Sequence, residues 1–336
     1  MGDTPGDSPR HTRGDTLTRG EVIANGRERF LLELVARLRV VPFQLALQVV
    51  APGRSRRVLG RIVSRLVRRG QLAVWVEQTE ASGSPRWLLA TRAGRTAGLD
   101  LLQAAVEGTS AETIVSTMLP SERTRPLELS PRVVPPFLRH QKETATLLVR
   151  LAEANAAPWF SAWERPLPQG GSPFPLPQPD GVLVLPGALG PELVFLEHDR
   201  GMESPSHFAR AKAERYAQLA VRPELCKRLF GFSTFRLAVT VENYRLHRRP
   251  LERLTLLARL LRQAGASREA KLTLAGWANW WPAGTVWCRA DDPLQLTERN
   301  AAALQDPSLR HTLLCPALRP GDECACRAHL EPPSEL

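Results

Sequence analysis

The chain has 336 residues, 43% of them hydrophobic, enough for two domains and a true core, which excludes a wholly disordered polymer. Its formal net charge of +11 and pI near 10.4 point to a polyanionic partner, with nucleic acid the first candidate. No apolar run reaches about 18 residues, so no membrane span is expected, and the odd count of five cysteines favours reduced thiols in a cytoplasmic protein over a disulfide scaffold.

Residues 1–26 are polar, lack the apolar stretch of a signal peptide, and read as a disordered arm. From residue 27 to 98 the pattern is regular. In "RERFLLELVARL", Phe30, Leu31, Leu34, Val35 and Leu38 fall at helical spacing. "VPFQLALQVV" predicts a short second helix opened by Pro42. "RSRRVLGRIVSRLVRRG" predicts a third, with Val58, Leu59, Ile62 and Leu66 on one side and Gly70 as its stop. "LAVWVEQ" and "RWLLATRAG" then read as two strands around the turn "ASGSP".

Three helices and a two-stranded wing describe a winged helix-turn-helix, whose third helix enters the major groove. Arg54, Arg56, Arg57, Arg61, Arg65, Arg68 and Arg69 lie on or beside that helix, and residues 53–73 contain no acid. Like charges at i,i+4, such as Arg57 and Arg61, repel by roughly 0.2–0.5 kcal/mol each. Phosphates would remove that repulsion and release counterions. The expected partner is therefore double-stranded DNA, with Arg86 of the wing adding a backbone contact.

Residues 99–135 read as a linker with short helices, ending in the proline-punctuated "LPSERTRPLELSPRVVPPF". Residues 136–300 read as a second domain. Its order is helix, β-hairpin, helix, strand, helix, which argues for an α/β fold. The hairpin pairs "GVLVL" with "ELVFLE" across the turn 186–191, which sets Asp180 opposite Glu197. Glu197 and Asp199, two apart on one strand, share a face. Three carboxylates so close are costly unless a cation joins them. Such an oxygen-rich cluster suits Mg²⁺ or Mn²⁺, with Asp180, Glu197 and Asp199 as ligands. His198 points to the other strand face and reads as packing or surface. Glu143 and Glu164 are further acids that could join the cluster, though nothing in their spacing requires it.

"PD", then sixteen residues, then "ExD" resembles the restriction-endonuclease-like PD-(D/E)xK core. Such enzymes carry a lysine two residues after the Glu, where this chain has Asp199. In some members the lysine has migrated to the following helix, and Lys212 stands in that position. The resemblance implies Asp180, Glu197 and Lys212 as catalytic residues. Over residues 27–262 the chain is similar to the replication-relaxation family of plasmid and mobile-element proteins. The similarity rests on "RRVLGRIVSRLVRRGQL", "WLLATRAGRTAG", "PDGVLVL", "FLEHDRGMES", "KAERYAQL" and "FRLAVTVENYRL". It implies a mixed α/β protein, an N-terminal winged helix followed by a nuclease-like domain. It also implies DNA binding linked to plasmid replication or relaxation.

Residues 301–336 form a cysteine-containing tail. Cys315, Cys324, Cys326 and His329 offer a zinc donor set, but the usual Cys-x2–4-Cys spacing is absent and zinc is not expected. Two versions of the function stay open: a metal-dependent DNA endonuclease, and a non-enzymatic protein that keeps the same fold as a platform. A winged-helix transcription regulator with a C-terminal sensor or partner-binding domain is the competing class. No Gly-rich phosphate loop is present, which argues against an ATPase.

Overall fold

The computed structural model describes residues 19–76, 86–118, 136–162, 175–187, 189–242, 250–274 and 287–290. Its N-terminal part runs α1 (Arg19–Leu38), β1 (Val40–Pro42), α2 (Phe43–Val50), α3 (Arg56–Arg68), β2 (Leu72–Val76) and β3 (Arg86–Ala90). Helical periodicity accounts for α1 and α3. Leu31, Leu34, Val35 and Leu38 of the first, and Leu59, Ile62 and Leu66 of the second, are all buried. Phe30, expected on the apolar face, is instead 43% exposed. Because α1 begins at Arg19, residues 19–26 are helical and not part of an arm. Gly70 stops α3 at φ +68°, and the Gln71 amide returns 2.9 Å to the Leu66 carbonyl.

Strand β3 pairs with β2 on one side, Leu72 opposite Ala90, and with β1 on the other, Val40 opposite Leu89. β1 was not expected. Three residues are too few to show alternation, and the strand exists because β3 has a second edge to offer.

Two helices follow, α4 (Arg92–Val106) and α5 (Glu112–Met118). The boundary expected at residue 98 thus falls inside α4. Two glycines let α4 lie close to its neighbours: a Cβ at Gly94 would stand 1.7 Å from the Gln71 carbonyl oxygen, and one at Gly98 2.6 Å from Ala36 Cβ. The proline-rich segment 119–135 lies outside the described residues.

The C-terminal part runs α6 (Pro136–Ala154), β4 (Trp159–Ala162), β5 (Gly181–Gly187), β6 (Gly190–Asp199) and α7 (Pro205–Phe208). A π-helical turn (Ala209–Ala213), α8 (Glu214–Ala220), α9 (Pro223–Phe230), β7 (Arg236–Val241), α10 (Pro250–Ala264), β8 (Ala270–Leu274) and β9 (Cys288–Arg289) follow. The sheet order is β4-β5-β6-β7-β8-β9. β4, β5 and β6 are antiparallel, whereas β7 runs parallel to β6 and β8 parallel to β7. The hairpin has the expected register, Gly181 opposite Leu196 and Gly187 opposite Gly190.

Alternation along β6 sorts its side chains to two faces. Val194 and Leu196 join a core with Leu148 and Leu151 of α6. Leu193 and Phe195 join another with Phe208, Tyr216 and Leu257 from the helices on the opposite face. Both cores reach into the N-terminal part: the first includes Leu31 and Leu66, the second Ala36, Leu99 and Ile114. The Arg37 guanidinium, 4.2 Å above the Trp159 ring, lies at this junction, and burial lowers its pKa to about 10. Among the described residues no helix is long and apolar enough to cross a membrane. The tail cysteines, His329 and Glu164 lie outside the described residues.

Candidate functional site

Asp180 and Glu197 meet at one end of the β5–β6 hairpin because the register places them opposite each other. The Asp180 amide donates to the Leu196 carbonyl at 2.9 Å. Its carboxylate accepts from the His198 amide at 2.7 Å. Glu197, 1% exposed, faces the helices. Lys212 donates to its Oε2, and the Tyr216 hydroxyl donates to its Oε1 at 2.5 Å. Lys212 Nζ also lies 3.8 Å from Asp180 Oδ2. The cation that joins the carboxylates is therefore the lysine from the following helix.

The π-helical turn explains how Lys212 arrives there. A single helix was expected over 204–222. Phe208 and Ala213, five apart, are both buried. A regular α-helix would not put them on one side, but an i→i+5 turn does. Lys212, within that turn, and Tyr216, just after it, then both address Glu197.

The electrostatics follow from burial. Burial pushes Glu197 up to about 8; Lys212 opposes this, and the neighbouring Asp180 adds to it. Burial disfavours the charge on Lys212 as well, but Asp180, Glu197 and Glu203 outweigh it and raise its pKa. The lysine therefore stays an ammonium at neutral pH. Tyr216 is raised by burial and by Glu197, so it remains a hydroxyl donor.

Asp199 behaves differently. It faces the same side as Glu197, but Arg253 of α10 takes its carboxylate, with Nε 2.6 Å from Oδ2 and Nη2 3.3 Å from Oδ1. The Gly201 amide donates to Oδ1 at 2.8 Å. The same guanidinium donates to the Glu203 carbonyl at 2.9 Å. These bonds make Asp199 a clamp on the chain leaving β6. Among the described residues, no three His, Cys, Asp or Glu side chains stand together as a metal cage. Two of the three expected ligands, Asp180 and Glu197, do converge on one cation. Two carboxylates are donors of the kind that an octahedral Mg²⁺ or Mn²⁺ retaining its waters takes, and here Lys212 lies against both.

Sequence analysis named Glu143 but did not foresee the second polar layer that it joins on the α6 side. His198 is buried, with Nδ1 3.0 Å from Thr240 Oγ1 and Nε2 3.3 Å from Glu143 Oε2. His140 stacks on it, ring centroids 5.7 Å apart, and its Nε2 lies 3.0 Å from Asp180 Oδ1. Burial lowers the His140 pKa, Asp180 opposes this, and His198, Lys212 and Arg200 add to the lowering. Burial opposes ionisation of Glu143, yet the His198 hydrogen bond and the nearby Arg200, at 2.8 Å, keep its pKa below the usual carboxylate value. One signal was legible: His140 and Glu143, three apart, share a helix face.

The basic helix forms a separate surface. Arg57, Arg61 and Arg68 of α3 are exposed and line a groove with Arg86 of β3. Arg56 lines an adjoining groove and donates to Gln44 at 3.2 Å. Arg54 is exposed on the loop before α3. Arg65, which also lines the first groove, and Arg69 both donate to Glu28 of α1, Arg69 at 2.8 Å, and Glu28 is 4% exposed. The acid absent from residues 53–73 comes from α1. Among the described residues no carboxylate lines either groove.

A family model described as Replication-relaxation matches residues 32–233. Those residues run from within α1 to just beyond α9, and so include both the arginine groove and the Asp180–Glu197–Lys212 cluster. A comparison with curated proteins finds no match.

Proposed function

The chain belongs to the replication-relaxation family, and from that premise we propose that it binds duplex DNA through the α3 groove in plasmid or mobile-element replication or relaxation. The family fits such a role. The observation that carries the DNA-binding reading is the groove itself. Among the described residues Arg57, Arg61, Arg65, Arg68 and Arg86 line it, and no carboxylate does. Glu28 holds the end of α3 through Arg65 and Arg69 while leaving the other arginines their charge. The order of α1–α3 and the β2–β3 hairpin supports a winged helix-turn-helix. In that design α3 reads the major groove and Arg86 follows the backbone. Titration of labelled duplex over a salt series tests this. Affinity should fall steeply with salt, with a log–log slope near −0.9 per phosphate neutralised. Binding indifferent to salt would refute it.

A catalytic reading is favoured by one observation, the convergence of Asp180, Glu197 and Lys212. The order helix, three antiparallel strands, helix, parallel strand supports a nuclease-like core. Asp180 and Glu197 would hold a Mg²⁺ or Mn²⁺ ion, and such an ion would supply Lewis-acid activation of water. Lys212 would neutralise charge on a scissile phosphate, while Tyr216 orients Glu197. Conversion of supercoiled plasmid to nicked or linear form in Mg²⁺ or Mn²⁺, abolished in Asp180→Ala, is the expected result. Equal conversion by wild type and variant, or none by either, would leave the cluster a structural one in a DNA-binding protein.

A further inference from the structure

We propose that Lys142 of α6 belongs to the duplex interface, so that bound DNA spans the N-terminal groove and the first helix of the C-terminal part. The inference rests on the DNA-binding reading of that groove and extends it to a residue outside the winged-helix pattern.

Lys142 is exposed and lines the groove together with Arg56, Arg86 and Val76. Its position is fixed from below. Leu138, one turn earlier, is fully buried and clusters with Val40, Trp75, Trp87 and Leu89 of the three-stranded sheet. Residues four apart lie on one side of a helix. The sheet that carries the wing therefore grips α6 through Leu138 and sets Lys142 on the groove's rim. A cation held there by a buried anchor extends the arginine surface, and among the described residues no acid lines the groove to cancel it.

The chemistry of the lining favours a duplex over a single strand. Single-strand sites offer open aromatic rings on which bases stack. Among the described lining residues the aromatic rings are Trp87, 3% exposed, and the half-buried Phe43, so a single partly open ring stands where a single-strand site would offer several. The apolar positions are small instead: Val67, Val74 and Val76 are 40%, 38% and 41% exposed. Such groups suit deoxyribose and thymine methyl edges beside a charged backbone.

The placement has a functional consequence. His140 and Glu143 of the same helix address Asp180 and His198. A duplex resting on Lys142 therefore touches the same helix that contacts the carboxylate cluster through His140.

The test is fluorescence anisotropy of a labelled duplex with full-length protein over a salt series, with melting temperatures confirming that each variant folds. Lys142→Ala should weaken binding and flatten the salt slope by about one unit, and Lys142→Glu should weaken it further. Arg150→Ala, an exposed change on α6 that touches neither groove, should bind as wild type. If Arg57→Ala with Arg61→Ala weakens binding while both Lys142 variants bind as wild type, this proposal is overturned and the groove reading stands. If none of these variants differs from wild type, the groove reading itself falls and takes Lys142 with it. Tighter binding of a single strand than of the duplex would also overturn it.

Discussion

Lys212 donates to Glu197, fifteen residues earlier in the chain, and this pair of a half-buried lysine and a buried carboxyl joins the π-helical turn to the interior strand β6. Above about pH 8, where Glu197 is ionised, removing one partner of such a pair strands the other's charge. Measured there, Lys212→Ala should cost about 3–5 kcal/mol of folding stability. Glu197→Gln should cost less, because an amide can still accept from Tyr216. Urea unfolding of the two variants checks this. A Lys212→Ala effect no larger than that of an exposed lysine would show that the pair does not hold the helix to the sheet.

The same burial makes stability depend on pH. Glu197 is raised from 4.5 to about 8 in the folded protein. The folded state keeps a proton that the unfolded chain releases above about 4.5. The stability this contributes is complete below 4.5 and is lost as pH rises through about 8. Glu197→Gln has no such proton. Relative to wild type it should gain stability between roughly pH 5 and pH 9, on the order of a few kcal/mol. Unfolding curves at the two pH values read the difference directly, and an unchanged difference would contradict the assignment.

Glu28 ties α1 to the end of α3 through Arg65 and Arg69. Glu28→Ala should lower stability by about 2 kcal/mol, since it removes the charged, largely buried acceptor of those hydrogen bonds. It should also free two guanidinium groups beside the groove. Non-specific duplex affinity at low salt should therefore rise even as the melting temperature drops. A fall in both would mean that Glu28 is needed to position α3 for DNA.

Gly98 records how tightly α4 is seated on α1. Its added Cβ would meet Ala36 Cβ and the Leu32 carbonyl oxygen, each at 2.6 Å. Gly98→Ala should destabilise the protein by about 1–3 kcal/mol through overpacking, despite the better helix propensity of alanine. A fragment ending at residue 98 cuts this helix and should fold less stably than one ending after Val106. Thermal melts of both fragments decide the point.

Periodicity made the helices legible, and the hairpin register followed from the turn at 186–191. That register was enough to bring Asp180 and Glu197 together. What the sequence could not show was how each charge would be spent. Asp199 shares a face with Glu197, yet Arg253, 54 residues later, claims it. Arg65 lines the groove as expected, yet its charge is paired with Glu28, 37 residues earlier. Both outcomes depend on tertiary pairings that no local pattern encodes. β1 and β4 escaped for a related reason, since strands of three and four residues are created by the edges they pair with. His198 read as packing because its partners, Thr240 and Glu143, sit on elements far away in the chain.

The exposed arginines of α3 are held to carry the DNA-binding surface, and the most direct measurement is duplex affinity of Arg57→Ala with Arg61→Ala against wild type across a salt series. Both side chains are exposed, and Glu28 still anchors the helix, so the fold should persist. The expected result is weaker binding and a log–log salt slope shallower by about two units, one for each phosphate no longer neutralised. A folded double variant with wild-type affinity and slope would contradict this, and α3 would be removed from the interface.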